Sequence, residues 1–207
     1  MRKEKYQMII DAARELMCSK GAYTEITVDM IAKEAGIGKG SIYYYFISKD
    51  EIIDAVIDQC YTAAIDGSIS EIKSREGTLE KLRMLFQSIL SSELKDKSRN
   101  VIHELHLQND IMTSYKLMMA SIKVISPIVT ELLVEGGEMG ELHTDFPEES
   151  ARMIVAMMTF LLDNSFFPET AENRLRSLRL YTQILETCLR AKPGSFDFLL
   201  EPLGNTP

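Results

Sequence analysis

The chain has 207 residues, 45% of them hydrophobic and 26% charged, and a formal net charge of −8. That length can bury a sizeable core in one or two domains, while six prolines, no long Gly/Ser tract and no repeat exclude a solenoid or a disordered chain. No stretch offers the ~20 uninterrupted apolar residues of a membrane helix and the N-terminus MRKEKYQMIIDAARELM lacks a signal-peptide core, so a cytoplasmic protein with no membrane partner is expected.

The negative charge is unevenly spread. Residues 1–49 hold eight Lys/Arg against six Asp/Glu, and the remainder holds fifteen against twenty-five. A slight positive balance is therefore confined to the N-terminal quarter, where any contact with a polyanion must be local.

Tyr6, Ile9, Ile10, Ala13, Leu16 and Met17 recur at helical spacing, which predicts an amphipathic helix over residues 3–19 ending near Gly21. Arg2, Lys3 and Lys5 at its start can brush a nucleic-acid backbone or form a solvated tail. Thr27 is a good N-cap with Asp29 in the first turn, and Val28, Ile31, Ala32 and Ala35 continue a short helix to Gly36, a residue suited to the left-handed helix end. A second helix spans about Lys39 to Tyr45. Ile42 and Phe46 would face the first, leaving Lys39, Ser41, Tyr43 and Tyr44 on other faces. A cation, a hydroxyl and adjacent phenols suit phosphates and base edges. Gly40 costs this helix roughly 1 kcal/mol relative to alanine, and close approach of another backbone explains it. Ser48 with Glu51 reads as a capping box, and Ile47 with Ile52 as a hydrophobic staple. Lys49 falls in that first turn, where a cation is disfavoured unless a phosphate is near.

Two helices joined by a short Gly-containing turn make a helix-turn-helix, whose second helix enters the DNA major groove. The segment T-V-x-x-I-A-x-x-A-G-I-x-K-G-S-I-Y-Y-Y-F-x-S-K-D-E-I resembles the DNA-binding domain of the TetR (tetracycline-repressor-like) family of bacterial transcription regulators. Gly38 departs from the family, which usually has Ser or another polar residue there. The resemblance implies a ligand-responsive regulator, most often a repressor, with Thr27, Tyr45 and Lys49 on phosphates. Lys39, Ser41, Tyr43 and Tyr44 would divide between phosphates and base edges, with Gly40 permitting close approach.

Beyond Ser48 the third helix keeps its period to about Ser68, leaving no linker between head and body. Further helices are predicted over about 77–95, 99–107 and 109–135. Pro127 should kink the last of these or locally break its hydrogen-bond ladder, and Gly136, Gly137 and Gly140 should end it in a loop. Pro147 opens a helix that is apolar almost all round, and a final long helix runs from about Glu169 to Leu189. These last two are the natural homodimer surface, as a four-helix bundle with a second chain, unless a monomer core consumes both. Phe196, Phe198, Leu199 and Leu200 would dock as a short turn, with Gly204 to Pro207 frayed. Cys18, Cys60 and Cys188 lie on apolar helical faces and read as buried thiols.

Several chemistries are absent. GIGKGS has Lys33 where a P-loop needs its first glycine, and it lacks the dinucleotide fingerprint spacing. His103 and His106 are two potential ligands without a third, and His143 beside Asp145 reads as a loop residue. No metal site, cofactor or catalytic constellation is predicted, and the chain is not expected to be an enzyme. The body methionines suit an adaptable apolar cavity. A pocket lined by Phe86, His103, Met112, Tyr115, Met119 and Phe160 is the search area for a small, largely apolar effector.

The expected protein is all-α, with residues 1–49 as the helix-turn-helix DNA-binding domain and 50–207 as a larger helical ligand-binding and dimerisation domain. Its partners would be a near-palindromic double-stranded DNA operator and an effector. A helical small-molecule-binding protein without sequence-specific DNA binding is the alternative.

Overall fold

The computed structural model describes residues 2–20, 23–90, 101–102, 104–106, 110–166 and 168–200. All regular structure among these residues is helical, and the chain is all-α. It groups into two compact units, one drawn from residues 1–62 and 94–120, the other from 63–93 and 121–207.

The first unit contains α1 (Arg2–Lys20), α2 (Val28–Glu34), α3 (Lys39–Tyr43) and the start of α4 (Lys49–Ser74). Residues 101–102 and 104–106 are helical as well, and the start of α6 (Ile111–Met139) completes the unit. Ile9, Ile10, Ile31, Ile42, Phe46, Ile52, Ile53 and Val56 are buried, which accounts for the apolar periodicity of the first four helices. The Gln7 and Gln59 amides exchange hydrogen bonds of 3.0 and 3.1 Å between α1 and α4. Lys116 of α6 reaches two carboxylates of α4, Asp54 at 2.7 Å and Asp50 at 3.6 Å.

Three local signals behave as their chemistry dictates. Thr27 accepts from the Met30 amide at 3.3 Å, Gly36 takes φ +65°, and Ser48 accepts from the Glu51 amide at 3.1 Å. Others differ. Glu51 closes its side of the cap on the Ile47 amide, at 2.6 Å. Ile47 is 88% exposed while Ile52 is fully buried, so the hydrophobic staple is not formed. Helix α3 ends two residues before Tyr45, and α4 runs to Ser74, beyond the predicted Ser68. Cys60 is buried, but Cys18 and Cys188 are exposed, against the expectation of three buried thiols.

The second unit holds α5 (Thr78–Leu90), the rest of α6, α7 (Pro147–Leu162), α8 (Ala171–Cys188) and a 3₁₀ turn at Asp197–Leu200. Glu141 serves α5 from a distant loop, its carboxylate accepting from the Thr78 and Leu79 amides at 2.7 and 3.3 Å. Between α7 and α8, the Tyr181 hydroxyl donates to the Ile154 carbonyl at 2.6 Å, and burial pushes that phenol's pKa up. Phe196, Phe198 and Leu199 are buried, with Phe198 stacked on Phe86 at 6.4 Å, so the C-terminal turn docks as its apolar residues predict. Gly204 to Pro207 lie outside the described residues.

Helix α6 departs most from expectation. It passes through Gly136 and Gly137 to Met139, and only Gly140, at φ +71°, terminates it. Pro127 lies within it and supplies no amide hydrogen to the ladder, yet the helix continues on both sides. By length and composition alone α6 could cross a membrane, one 18-residue window of it having a mean hydropathy of 1.8, a test that buried core helices also pass. Leu117, Ile125, Val129, Leu132 and Leu133 line its buried side.

Candidate nucleic-acid interface

The helix-turn-helix geometry follows from which side chains of α2 and α3 are buried. Ile31 and Ala32 on α2 and Ala35 at its C-cap, with Ile42 and Phe46 on and after α3, form the inner face. This fixes the outer face. Tyr43 is 49% and Tyr44 68% exposed, Lys39, Gly40 and Thr27 are exposed, and Ser41, Tyr45 and Lys49 are half-buried. All eight residues singled out for DNA belong to the first unit.

Several of them already have partners. The Lys39 ammonium lies 2.8 Å from Asp29 Oδ2, joining the start of α3 to the first turn of α2. That hydrogen bond raises the Lys39 pKa, so it is a cation at any physiological pH. Lys49 Nζ donates to the Thr24 carbonyl at 3.3 Å. The Thr27 oxygen accepts the helix-capping bond, leaving its O–H to donate outward. A methyl group at Gly40 or Gly38 would meet no protein atom within 4 Å, so the protein's own packing does not require glycine at either position.

Sequence reasoning identified the basic N-terminus but not its arrangement. Arg2 places its guanidinium 5.6 Å from the centroid of the Tyr44 ring, and Tyr44 meets Tyr45 edge-on at 5.2 Å. Arg2, Lys3, Tyr6, Tyr44 and Tyr45 line an open recess of about 350 Å³. The Asp29–Lys39 pair was likewise not foreseen. A separation of ten residues between two short helices matches no local pairing rule.

The body residues singled out for an effector fall in both units. Met112, Tyr115 and Met119 share one face of α6 and are about half exposed. Phe86 is buried against Phe198, and Phe160, 37% exposed, stacks on Phe166 at 5.6 Å. His103 lies outside the described residues. His143 Nε2 sits 3.4 Å from Asp145. Among the described residues no group of three His, Cys, Asp or Glu side chains could hold a metal ion.

Residues 9–56 match the family described as bacterial regulatory proteins, tetR family, and residues 94–182 match the tetracyclin repressor-like C-terminal domain. The chain is 27% identical over 154 residues to the fatty acid metabolism regulator protein of Bacillus subtilis (strain 168), covering 74% of this chain and 79% of that protein. Among solved structures, RolR in complex with resorcinol has the same fold, with a TM-score of 0.68 at 15% identity over 99% of this chain and 95% of that one. FadR from Bacillus subtilis in complex with stearoyl-CoA superposes with a TM-score of 0.52 at 22% identity, covering 90% of this chain and 99% of that chain.

Proposed function

This chain belongs to the TetR family of bacterial regulatory proteins, and from that premise we propose that it is a repressor whose α3 helices, paired in a dimer, read a near-palindromic operator. The observation that carries this reading is the division of α3 and the residues just after it: Ile42 and Phe46 are buried while Lys39, Tyr43 and Tyr44 remain exposed. Residues 1–49 act as the reading head and 50–207 as the effector-binding and dimerisation domain. Thr27, Tyr45 and Lys49 bind phosphates, and Lys39, Ser41, Tyr43 and Tyr44 contact phosphates and base edges. Open space around Gly40 supports its role as the point of close approach.

Dimerisation is assigned to α7 and α8. Met153, Met157 and Phe160 on α7 and Leu180 and Ile184 on α8 are exposed in the single chain, a set of large apolar side chains that a second copy would cover. Two heads in successive major grooves would stand about 34–36 Å apart.

The effector is a small, largely apolar compound bound in the body, acting by its different affinity for DNA-competent and DNA-incompetent dimers. The name of the Bacillus subtilis relative supports an acyl-chain compound as the first to try.

The reading is tested by random-site selection with the wild-type protein, followed by fluorescence titration of the selected duplex and a scrambled one at several salt concentrations. A palindromic consensus bound more tightly than the scrambled duplex, with that binding weakened by stearate, an acyl chain without the coenzyme, is the expected result. Lys49→Ala should weaken both duplexes alike and reduce the salt slope by about one unit. Failure to select any sequence would overturn the regulator assignment. Unchanged affinity and slope in Lys49→Ala would remove only that phosphate contact.

A further inference from the structure

The Asp29–Lys39 pair lies on the exposed side of the helix-turn-helix, with the lysine side chain 49% and the aspartate side chain 70% accessible. A pair this exposed adds little to folding. It also places a carboxylate among the residues assigned to DNA, where phosphates repel it. A base-edge donor is the DNA group that would welcome it.

The hydrogen-bonding capacity of the pair is not exhausted by its internal bond. A lysine ammonium has three N–H donors, of which Asp29 takes one. A carboxylate has about four acceptor sites, of which Lys39 occupies one. The pair thus displays a donor directly beside an acceptor. In the major groove a G·C pair displays the complement, with the O6 and N7 acceptors of guanine next to the N4 donor of cytosine. An A·T pair also sets an acceptor, adenine N7, beside a donor, N6, but it offers the ammonium one purine acceptor instead of two and puts the thymine O4 acceptor, which repels a carboxylate, where cytosine presents its N4 donor, with the thymine methyl beyond.

We propose that Asp29 determines specificity, the Asp29–Lys39 pair reading one G·C base pair in each half-site. Lys39 donates to guanine O6 or N7, and Asp29 accepts from cytosine N4. Their mutual hydrogen bond holds the two side chains at a common position, so that binding does not have to order each separately. This inference rests on the reading of α3 as the DNA-contacting helix.

The test compares wild type, Asp29→Ala, Asp29→Asn and Lys39→Ala by random-site selection, then titrates single-base-pair variants of the wild-type duplex at one salt concentration. One G·C position per half-site should lose its discrimination by at least about fivefold in Asp29→Ala, with the other positions unchanged. Lys39→Ala should relax that same position. In Asp29→Asn the preference there should move toward A·T, because an amide pairs with adenine N6 and N7. The proposal is overturned if Asp29→Ala changes affinity equally for every duplex, or if it and Lys39→Ala relax different positions. A wild-type protein that selects no sequence would overturn the DNA-reading premise itself.

Discussion

Tyr6 stacks on Phe46, their ring centroids 4.9 Å apart and their planes inclined by 20°. The contact joins α1 to the segment just beyond α3. Phe46 is 3% exposed and Tyr6 37%, so the two rings contribute unequally. Phe46→Ala should cost about 3–5 kcal/mol of unfolding free energy, whereas Tyr6→Ala should cost about 1 kcal/mol, the order of a single aromatic pair. Urea denaturation measures both. Equal losses would show that the rings are not in these environments.

The start of α4 separates two features that usually travel together. Ser48→Ala removes the acceptor for the Glu51 amide and should cost about 1 kcal/mol. Ile47→Ser alters a side chain that is 88% exposed and should stay within about 0.5 kcal/mol of wild type. A large loss in Ile47→Ser would mean that the staple forms in solution.

Adjacent glycines in α6 should respond with opposite sign. A methyl group at Gly136 would stand 3.0 Å from Thr78 Cγ2 and 3.1 Å from Leu142 Cδ1, and both neighbours are buried. Gly136→Ala is expected to lose about 1 kcal/mol net, overpacking outweighing the gain in helix propensity. At Gly137 the nearest atom is the Leu142 carbonyl oxygen, 4.0 Å away, and Gly137→Ala should gain up to about 1 kcal/mol. Thermal melts of the two variants decide it.

Asp110 caps α6, accepting from the Thr113 amide at 2.9 Å and the Thr113 hydroxyl at 2.7 Å. The hydroxyl bond is the largest of three hydrogen bonds that hold this carboxyl below its ordinary value, the others coming from the Thr113 and Met112 amides. A depressed folded pKa means stability that is complete above the unfolded pKa and is lost as pH falls through the folded one. Asp110→Ala should therefore be less stable than wild type at neutral pH by about 1 kcal/mol. That difference should shrink below the ordinary carboxylate range, as followed by denaturation at pH 7 and pH 3.

How far the sequence could be read depended on the range of the forces involved. Caps at Thr27, Gly36 and Ser48 are decided by bonds spanning three or four residues, and each stands where its residue type indicates. The inward faces at Ile42 and Phe46 follow from helical periodicity. The course of α6 through Gly136 and Gly137 is different. Close approach by Thr78 and Leu142 uses the absence of a side chain at Gly136, so glycine serves packing there and does not end the helix. At the C-terminus of α8, Arg190 takes the left-handed conformation at φ +49°, a place where glycine is usual. The amide of Ala191 bonds the Glu186 carbonyl at 2.9 Å, completing the turn around a residue whose type gives no hint of it. In the candidate interface, the types and exposure of the residues were legible, but the Asp29–Lys39 and Arg2–Tyr44 pairings were not, because each depends on helix packing between separated segments.

The uncovered side chains Met153, Met157, Leu180 and Ile184 also bear on what a melting temperature means for this protein. In the dimer proposed above a second copy covers them, which would place association inside the folding equilibrium, so that mass action would enter the measured stability. Dilution of such a dimer would weaken the native state without altering a single contact within the chain. Variants differing in these four residues are comparable only at equal molarity.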